Sequence, residues 1–421
     1  MKQYDLVVAG GGFAGIAAAI AAARAGLRVL LVEQSNCLGG APGTCLVNPF
    51  MPYWTIIESN GKKEKFYLSR GIFREVLEEL KKMNALGKDE AIFQEEYLKL
   101  ILNRMVLKAG VTPLFHSSVI GAEKEGAHIK AVTLANKSGV MRVEADYFID
   151  ATGDADLAVL CGCPYHLGRP QDSLCQPMTL CFRVANVDLQ KYQESRAQIN
   201  PLYQEMQKAG KIKNVREDVL IFHNLVDGVL HFNSTRIVKR SPVDAFDVTA
   251  AEIEAREQVF ELFEFLKENI DGFQNSQIIM TAQNIGVRES RMIDGEYMLT
   301  AEDLVACTKF DDAIAAGNYD IDIHNPEGSG TSHYYFKDGT YYTIPYRSLQ
   351  PKGTDNLLVA GRCISSTHEA QASYRIMPIV CCIGEAAGTA VGIAAKNNLP
   401  VTQADIREIQ DMLRKNGAFI G

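Results

Sequence analysis

No stretch of the 421-residue sequence is basic enough to lay down a broad positive field, and the formal net charge is −8. That argues against nucleic acid as the main partner, because phosphate backbones are met by clustered Lys and Arg. The densest basic run, 60–66 "NGKKEKF", reads as a solvated loop. No CxxC occurs, and the ten cysteines show no framework spacing. Cys161-x-Cys163 and adjacent Cys381-Cys382 fit no zinc pattern, and the eight histidines form no ligand-like pair. A metal centre and a disulfide scaffold are therefore disfavoured, and free thiols in a reducing cytoplasm are expected.

The opening "MKQYDLVV" enters a strand at once and lacks the three regions of a secretory leader. The longest apolar helical run in this reading, 16–25, is too short to cross a bilayer, so no transmembrane segment is expected. Repeats of solenoid period, low-complexity tracts and Pro-, Gly- or Ser-rich linkers are also missing. What remains is a 47% hydrophobic chain, able to bury a large core in two or three domains.

The first informative stretch is "YDLVVAGGGFAGIAAAIAAARAGLRVLLVEQ", 4–34. "YDLVVAG" reads as a buried parallel strand, the alanine-rich segment as a helix, and "LRVLLVE" as a second strand. This is a βαβ unit of the length that one crossover helix requires. It holds Gly10-x-Gly12-x-x-Gly15 at its first turn. Gly10 permits the tight turn, Gly12 lets backbone approach a pyrophosphate, and Gly15 lets helix and strand pack closely. The helix N-terminus offers free amides and a positive dipole end to that anion. Glu33, at the end of the second strand, suits ribose hydroxyls and repels a 2′-phosphate. A dinucleotide is expected here.

The following segment favours FAD over NAD. Instead of another helix and strand comes a glycine-rich loop, "QSNCLGGAPGTCLVNPF", suited to wrapping a ligand by backbone contact. Later, "VEADYFIDATGDADLA" (143–158) puts a glycine beyond a strand end, where open α/β sheets bind ligands. Near the end, 355–396 reads as a strand ending in Gly361-Arg362, then a long small-residue helix with Pro378 in its first turn.

With these stretches in hand, the sequence resembles the FAD-dependent oxidoreductases of the glutathione-reductase-2 structural type. It is most similar to the bacterial family related to succinate dehydrogenase and fumarate reductase flavoproteins. The resemblance is carried by "VVAGGGFAGIAAAIAAARAGLRVLLVEQ", "LGGAPGT", "FIDATGDADLA", "GVRESRMIDGEYMLT" and "LLVAGRCISSTHEAQASYRIMPIVCCIGEAAGTAVGIAA", in family order along nearly the whole chain. It implies non-covalent FAD. Gly10, Gly12, Ala14, Gly15, Glu33 and Gln34 would hold the ADP half, and Gly39, Gly40 and Thr44 the flavin approach. Val119, Ala151, Thr152, Gly153 and Asp154, with Asp150 before them, would follow the pyrophosphate and adenosine side. Gly361, Arg362, Met377 and Pro378 would close over the ribityl chain and ring.

The implied fold is α/β: a Rossmann-like FAD-binding domain, with a three-layer sheet and β-meander, plus a second α+β substrate domain. Helices are expected over 70–82 and 93–109, and a meander over about 119–148. The FAD-binding domain would be discontinuous, 1–160 with 346–421, and 161–345 would form the substrate domain. There "QPMTLCFRV", "VLIFHNLV", "VLHFNSTRIV" and "SQIIMTAQNIGV" read as one sheet, covered by helices near 189–208 and 250–269.

Candidate catalytic residues lie in two stretches. In "QNIGVRESRMIDGEY", Arg288 and Arg291 would point to opposite faces of a strand, and either suits a substrate carboxylate or flavin charge. The competing reading is a structural ion pair with Glu289. In "SSTHEAQASYR", His368 is the candidate acid or base, Glu369 would orient it or act itself, and Arg375 favours an anion. A hydrogen-bonded structural histidine and a surface arginine are the plain alternatives. Cys45 has no partner spacing for a redox dithiol and reads as a small buried thiol. No histidine between Glu33 and Phe115 offers covalent flavin attachment. The aromatics Tyr53, Trp54 and 332–347 read chiefly as core.

The expected function is hydride-equivalent transfer between a small organic substrate and flavin N5, with a separate electron acceptor. A homo-oligomer is compatible with the sequence. The alternatives are an electron-transfer flavoprotein subunit without its own substrate, and a nucleotide kept as scaffold or used for biosynthesis.

Overall fold

The computed structural model describes residues 3–59 and 61–421. Five short apolar strands form one parallel sheet in the order Leu357–Val359, Tyr147–Asp150, Leu6–Ala9, Val29–Val32, Thr112–Leu114. The strands Leu6–Ala9 and Val29–Val32 are buried at every position, as parallel strands covered on both faces must be. An antiparallel meander, Ser118–Glu125, His128–Asn136 and Gly139–Glu144, shares the same apolar core.

Helix Phe13–Arg24 lies against helix Met377–Asn397 within the first core. Gly384, Gly388 and Gly392 recur every fourth residue on the contact face. A Cβ on Gly384 or Gly388 would sit 2.0 or 2.1 Å from the carbonyl oxygens of Ala14 and Ala18. Only hydrogen fits there, so the backbones come together. Helix Met377–Asn397 has 21 residues and a mean hydropathy of 1.6, long and apolar enough to cross a membrane, yet its most apolar window is wholly buried. This overturns 16–25 as the longest apolar run. The interspersed glycines and Glu385 hide the length of the segment from a simple reading of hydropathy.

Glu385 is itself informative. It is a carboxylic acid within an apolar helix, 2% exposed, and its Oε2 accepts the Ile72 N–H at 2.9 Å. It thereby occupies the N-terminus of helix Ile72–Lys82, where the preceding Gly71 leaves no room for a Cβ. Burial, seconded by Glu75, pushes its carboxyl up to about 7.

A second core gathers apolar residues from 178 to 285, with Leu46 inserted from the glycine-rich loop. Its sheet is antiparallel, in the order Ile221–His223, Leu230–Phe232, Phe182–Ala185, Gln277–Thr281, so all four expected strands pair together. Helix Ala245–Asn269 packs its apolar face into this core. The other expected helix is split into Leu189–Ser195, a 3-10 turn Arg196–Gln198, and Ile199–Lys208. Pro201 has no N–H with which to continue the earlier ladder. The basic run is also corrected: Lys62–Tyr67 is a strand paired with Trp54–Ser59, not a loop, and Lys65 lies 3.5 Å over the Trp54 ring. Asn60 falls outside the described residues.

Candidate functional site

The glycine turn is built as tightly as its spacing implies. Gly10 has φ +98°, and a Cβ there would lie 2.3 Å from the Ala151 carbonyl oxygen. A Cβ on Gly15 would lie 1.8 Å from the Gly10 oxygen. Gly12 differs: the nearest atom to its Cβ position is Gly40 Cα, at 3.9 Å. Nothing in the protein requires glycine at position 12 on steric grounds, whereas a ligand lying on the turn would.

Gly39 joins this turn through its N–H, which donates to the Gly11 oxygen at 2.9 Å. Gly40 has φ +62°, and a Cβ there would lie 2.9 Å from Gly12 Cα. No side chain caps helix Phe13–Arg24, so its first amides face this space. Glu33, 7% exposed, accepts from Gly11 N–H (2.6 Å) and Ser35 N–H (2.7 Å), which fixes both carboxylate oxygens beside the turn. Gln34 is exposed. Val119 is half-buried on the meander strand that follows Ser117, whose N–H donates to the Glu33 carbonyl.

Distant segments close on this turn. Gly361 (φ +106°) ends strand Leu357–Val359 against Ala14, where its Cβ position lies 3.5 Å from that of alanine. Met377 and Pro378 open the long helix and are buried. Thr44 N–H donates to the Gly40 oxygen, and the Thr44 carbonyl accepts from Asn284 N–H, which ties the glycine loop to the second core. Cys45 is half-buried rather than fully buried, and desolvation raises its thiol, so it is no ready thiolate.

The loop after strand Tyr147–Asp150 is organised from within. The Asp150 carboxylate accepts from Thr152 N–H, Thr152 Oγ1 and Ala158 N–H, leaving it a structural group. Burial pushes it up to about 6. Ala151 is the residue that blocks any side chain at Gly10. At Gly153 (φ +84°), a Cβ would meet the Arg362 guanidinium at 2.8 Å. Arg362 pairs with Asp154 at 2.7 Å, and its Nε is buried without a partner. Burial alone would lower Arg362, but the Asp154 charge holds it above its ordinary range. Ser290 also donates to Asp154, and Arg291 to the Asp154 carbonyl and the Asp156 carboxylate.

His368 begins helix His368–Tyr374 and is 4% exposed. Its Nδ1 lies 2.6 Å from Glu289 Oε1, and Glu289 is fully buried. The second Glu289 oxygen accepts from Gln176 N–H at 2.8 Å. This corrects two expectations: Glu289 is not an arginine's partner, and Glu289 rather than Glu369 orients the imidazole. Glu369 is half-exposed, and its side chain has no hydrogen bond among the described residues. A carboxylate only accepts, so Nδ1 carries the proton and Nε2 is left free.

Arg288 and Arg291 reach different partners, but they share no strand: Arg288 lies in a bend before the strand Arg291–Ile293. Arg288 donates to the Pro177 carbonyl, Thr179 Oγ1 and Asn233 Oδ1. Arg375 approaches Asp322 at 3.5 Å and is no surface arginine. Asp322 also receives Tyr319 OH and lies 3.3 Å from His324 Nε2. Arg236, which has only donors, meets His324 Nδ1 at 3.0 Å, so the histidine proton sits on Nε2. Burial, then Arg288, push His324 down to about 3. Burial would raise Asp322, but His324 and the arginines hold it well below the ordinary carboxylate range.

The sequence reading missed Asp322, His324, Asn233 and Thr179. It also missed the contact of Arg183 with Glu95, beside which His231 is 1% exposed with both ring nitrogens unpartnered. For Asp322 and His324 the one local signal is a polar residue recurring on one face of an otherwise apolar strand.

A family model described as FAD dependent oxidoreductase matches residues 5–413. No curated protein matches. Among solved structures, p-nitrophenol 4-monooxygenase PnpA from Pseudomonas putida DLL-E4 aligns with TM-score 0.50 at 10% identity, covering 100% of this chain and 88% of that one. BexE, from work on oxidation during BE-7585A biosynthesis, gives TM-score 0.50 at 11% identity, with 100% and 70% covered. A geranylgeranyl bacteriochlorophyll reductase-like protein from Thermoplasma acidophilum gives 0.48 at 12%, with 99% and 84% covered. At such identities the likeness is one of fold.

Proposed function

The chain belongs to the FAD-dependent oxidoreductase family, and on that premise we propose that it passes a hydride equivalent between a small organic substrate and non-covalent FAD. The cofactor itself follows from the family, and the turn fits it. The carrying observation is Gly12: its Cβ position meets nothing closer than Gly40 Cα at 3.9 Å, and it stands at an uncapped helix start. Bound FAD supplies the two-electron redox chemistry.

The protein supplies the rest. Gly10, Gly12, Gly15 and the first amides of helix Phe13–Arg24 hold the diphosphate, and the anchored Glu33 carboxylate takes the ribose hydroxyls. Gly39, Gly40 and Thr44, with Arg362 and the start of helix Met377–Asn397, bound the flavin end. The unpartnered Arg362 Nε supports this placement, since buried donors rarely go without an acceptor. His368 moves the proton through Nε2 while Glu289 holds Nδ1, in the manner of a general acid–base pair.

Residues 1–160 with 346–421 act as the cofactor part, and 161–345 as the substrate part; the separate core over 178–285 supports a distinct substrate part there, while Ile293, Ile314 and Tyr342 pack with the cofactor part. The parallel sheet, meander and returning C-terminal helix support a glutathione-reductase-2 type related to succinate dehydrogenase and fumarate reductase flavoproteins.

Purified protein should be yellow and release FAD on denaturation; a protein that holds none and binds none when supplied sinks this reading. His368→Ala should keep its FAD and lose at least about 100-fold in the rate of anaerobic flavin bleaching by substrate. A variant that bleaches at the wild-type rate removes His368 from the chemistry.

A further inference from the structure

Helix Ala245–Asn269 is apolar on two faces, and the second core uses one of them. Ala251, Ala255, Val259, Leu262 and Leu266 are buried in that core. On the other side stand Phe246, Ile253 and Phe260, which are 88%, 60% and 55% exposed. Single apolar residues scattered over a surface are ordinary. These three are not scattered, because residues 246, 253 and 260 follow one another at a constant spacing of seven. That spacing brings a helix round to within about 20° of its starting direction, so they form one line along the helix. A helix lying on its own core needs one apolar face, and this one carries a second.

The line is its own complement. An antiparallel copy with its two-fold axis at Ile253 sets Ile253 against Ile253 and each Phe246 against the other Phe260, since 246 and 260 are equidistant from 253. In that register Arg256 comes level with Ala250 and Glu257 with Thr249, so each charged residue of the seam meets a small one. Arg256 already holds Glu252 of its own helix at 3.1 Å, and closing the seam strands no charge there. A parallel copy would also pair the apolar residues, but it would set Arg256 against Arg256 and Glu257 against Glu257, and like charges brought face to face are costly.

The surroundings select a second copy over a membrane. Glu254, Glu257, Glu264 and Glu268 are exposed along this helix, whereas a helix that lies on a bilayer presents Lys and Arg beside its apolar face. An aromatic centre with a charged border is the build of a protein interface. Covering Phe246 and Phe260 of both copies removes of order 500 Å² of aromatic surface. That is about a third of a standard interface, which fits a reversible dimer rather than an obligate one.

We propose that the protein forms a two-fold homodimer through antiparallel pairing of helix Ala245–Asn269 about Ile253.

The test uses full-length protein loaded with FAD, followed by sedimentation velocity from about 1 to 100 µM. The wild type should pass from monomer to dimer across that range. Ile253→Glu opposes two carboxylates at the axis and should weaken association at least about tenfold. Ile253→Lys should do the same, and an equimolar mixture of the two should restore the dimer. Ile253 lies outside both cores, so FAD content and near-ultraviolet circular dichroism should stay unchanged in each variant. The direction of pairing is read by oxidative cross-linking: Thr249→Cys mixed with Glu257→Cys should give a covalent dimer above the wild-type background, and neither variant should link to itself. A wild type that stays monomeric, an Ile253→Glu variant that associates as tightly as wild type, or cysteine variants that each self-link and fail to link together overturns the proposal. So does a monomer that binds phosphatidylglycerol vesicles through the same three residues, which would assign the stripe to lipid. Should Ile253→Glu fail to fold, the wild-type concentration series and the cysteine mixture decide.

Discussion

Gly12 and Gly15 stand three residues apart on one turn, and the structure gives them opposite tolerances. A Cβ at 15 collides with the Gly10 oxygen at 1.8 Å, whereas one at 12 meets nothing closer than 3.9 Å. Gly12→Ala should therefore fold with a stability within about 1 kcal/mol of wild type but lose FAD. Gly15→Ala should lose more than about 2 kcal/mol whether or not FAD is present. Denaturant melts with and without the cofactor check both; equal behaviour of the two variants would deny that position 12 is reserved for a ligand. This contrast was legible in the sequence, because the turn, helix and strand that define it are contiguous. The His368–Glu289 contact was not. The residues are 79 positions apart, and nothing local distinguishes Glu289 from a partner for its neighbouring arginines. The alternation expected for Arg288 and Arg291 does not apply, because Arg288 lies in a bend before the strand that opens at Arg291. The identities of their partners depend on pairings that only the folded sheet creates.

At the scale of elements, two helices are joined at points where the sequence is least apolar. Glu385 sits inside helix Met377–Asn397 and holds the first amide of helix Ile72–Lys82. Its carboxyl, at about 7, is raised above the value of 4.5 for a free glutamate. The native state therefore holds this proton more tightly than the unfolded chain. The associated stability is full below about pH 4.5 and is lost as pH climbs through 7, a change of order 3 kcal/mol. Asp150, pushed up to about 6, adds a slope of the same sign. Glu385→Gln should flatten this decline while keeping an acceptor for Ile72, as urea melts at pH 5 and pH 8 would record. An unchanged slope would remove Glu385 as its source. The long helix itself was only partly legible. Its start at Pro378 and its small residues were clear, but glycines that serve close packing also lower mean hydropathy. The split of 189–208 was missed because Pro201 stands so near a helix start that it reads as permissible there.

For the whole molecule, the βαβ unit, the meander and the second sheet were all readable as elements, since each is written in contiguous periodicity. How the two cores divide the region after residue 285 was not, because apolar residues such as Ile293, Ile314 and Tyr342 join the first core by contacts remote in sequence. The parallel sheet is completed by Leu357–Val359, which pairs with Tyr147–Asp150 beside Leu6–Ala9. A chain cut before Asp355 should accordingly lack native near-ultraviolet circular dichroism and retain no FAD. A shortened protein that keeps both would show that the returning segment is dispensable.

The mutual burial of helices Phe13–Arg24 and Met377–Asn397 also sets an order of events during synthesis. One of these surfaces, Phe13–Arg24, leaves the ribosome long before the other, Met377–Asn397. At about 5–20 residues per second, the alanine-covered face of the early helix waits of order half a minute for its mate. During that interval a nascent chain is an open invitation to chaperones, and a ribosome stalled before Met377 would display a sticky, unfinished product.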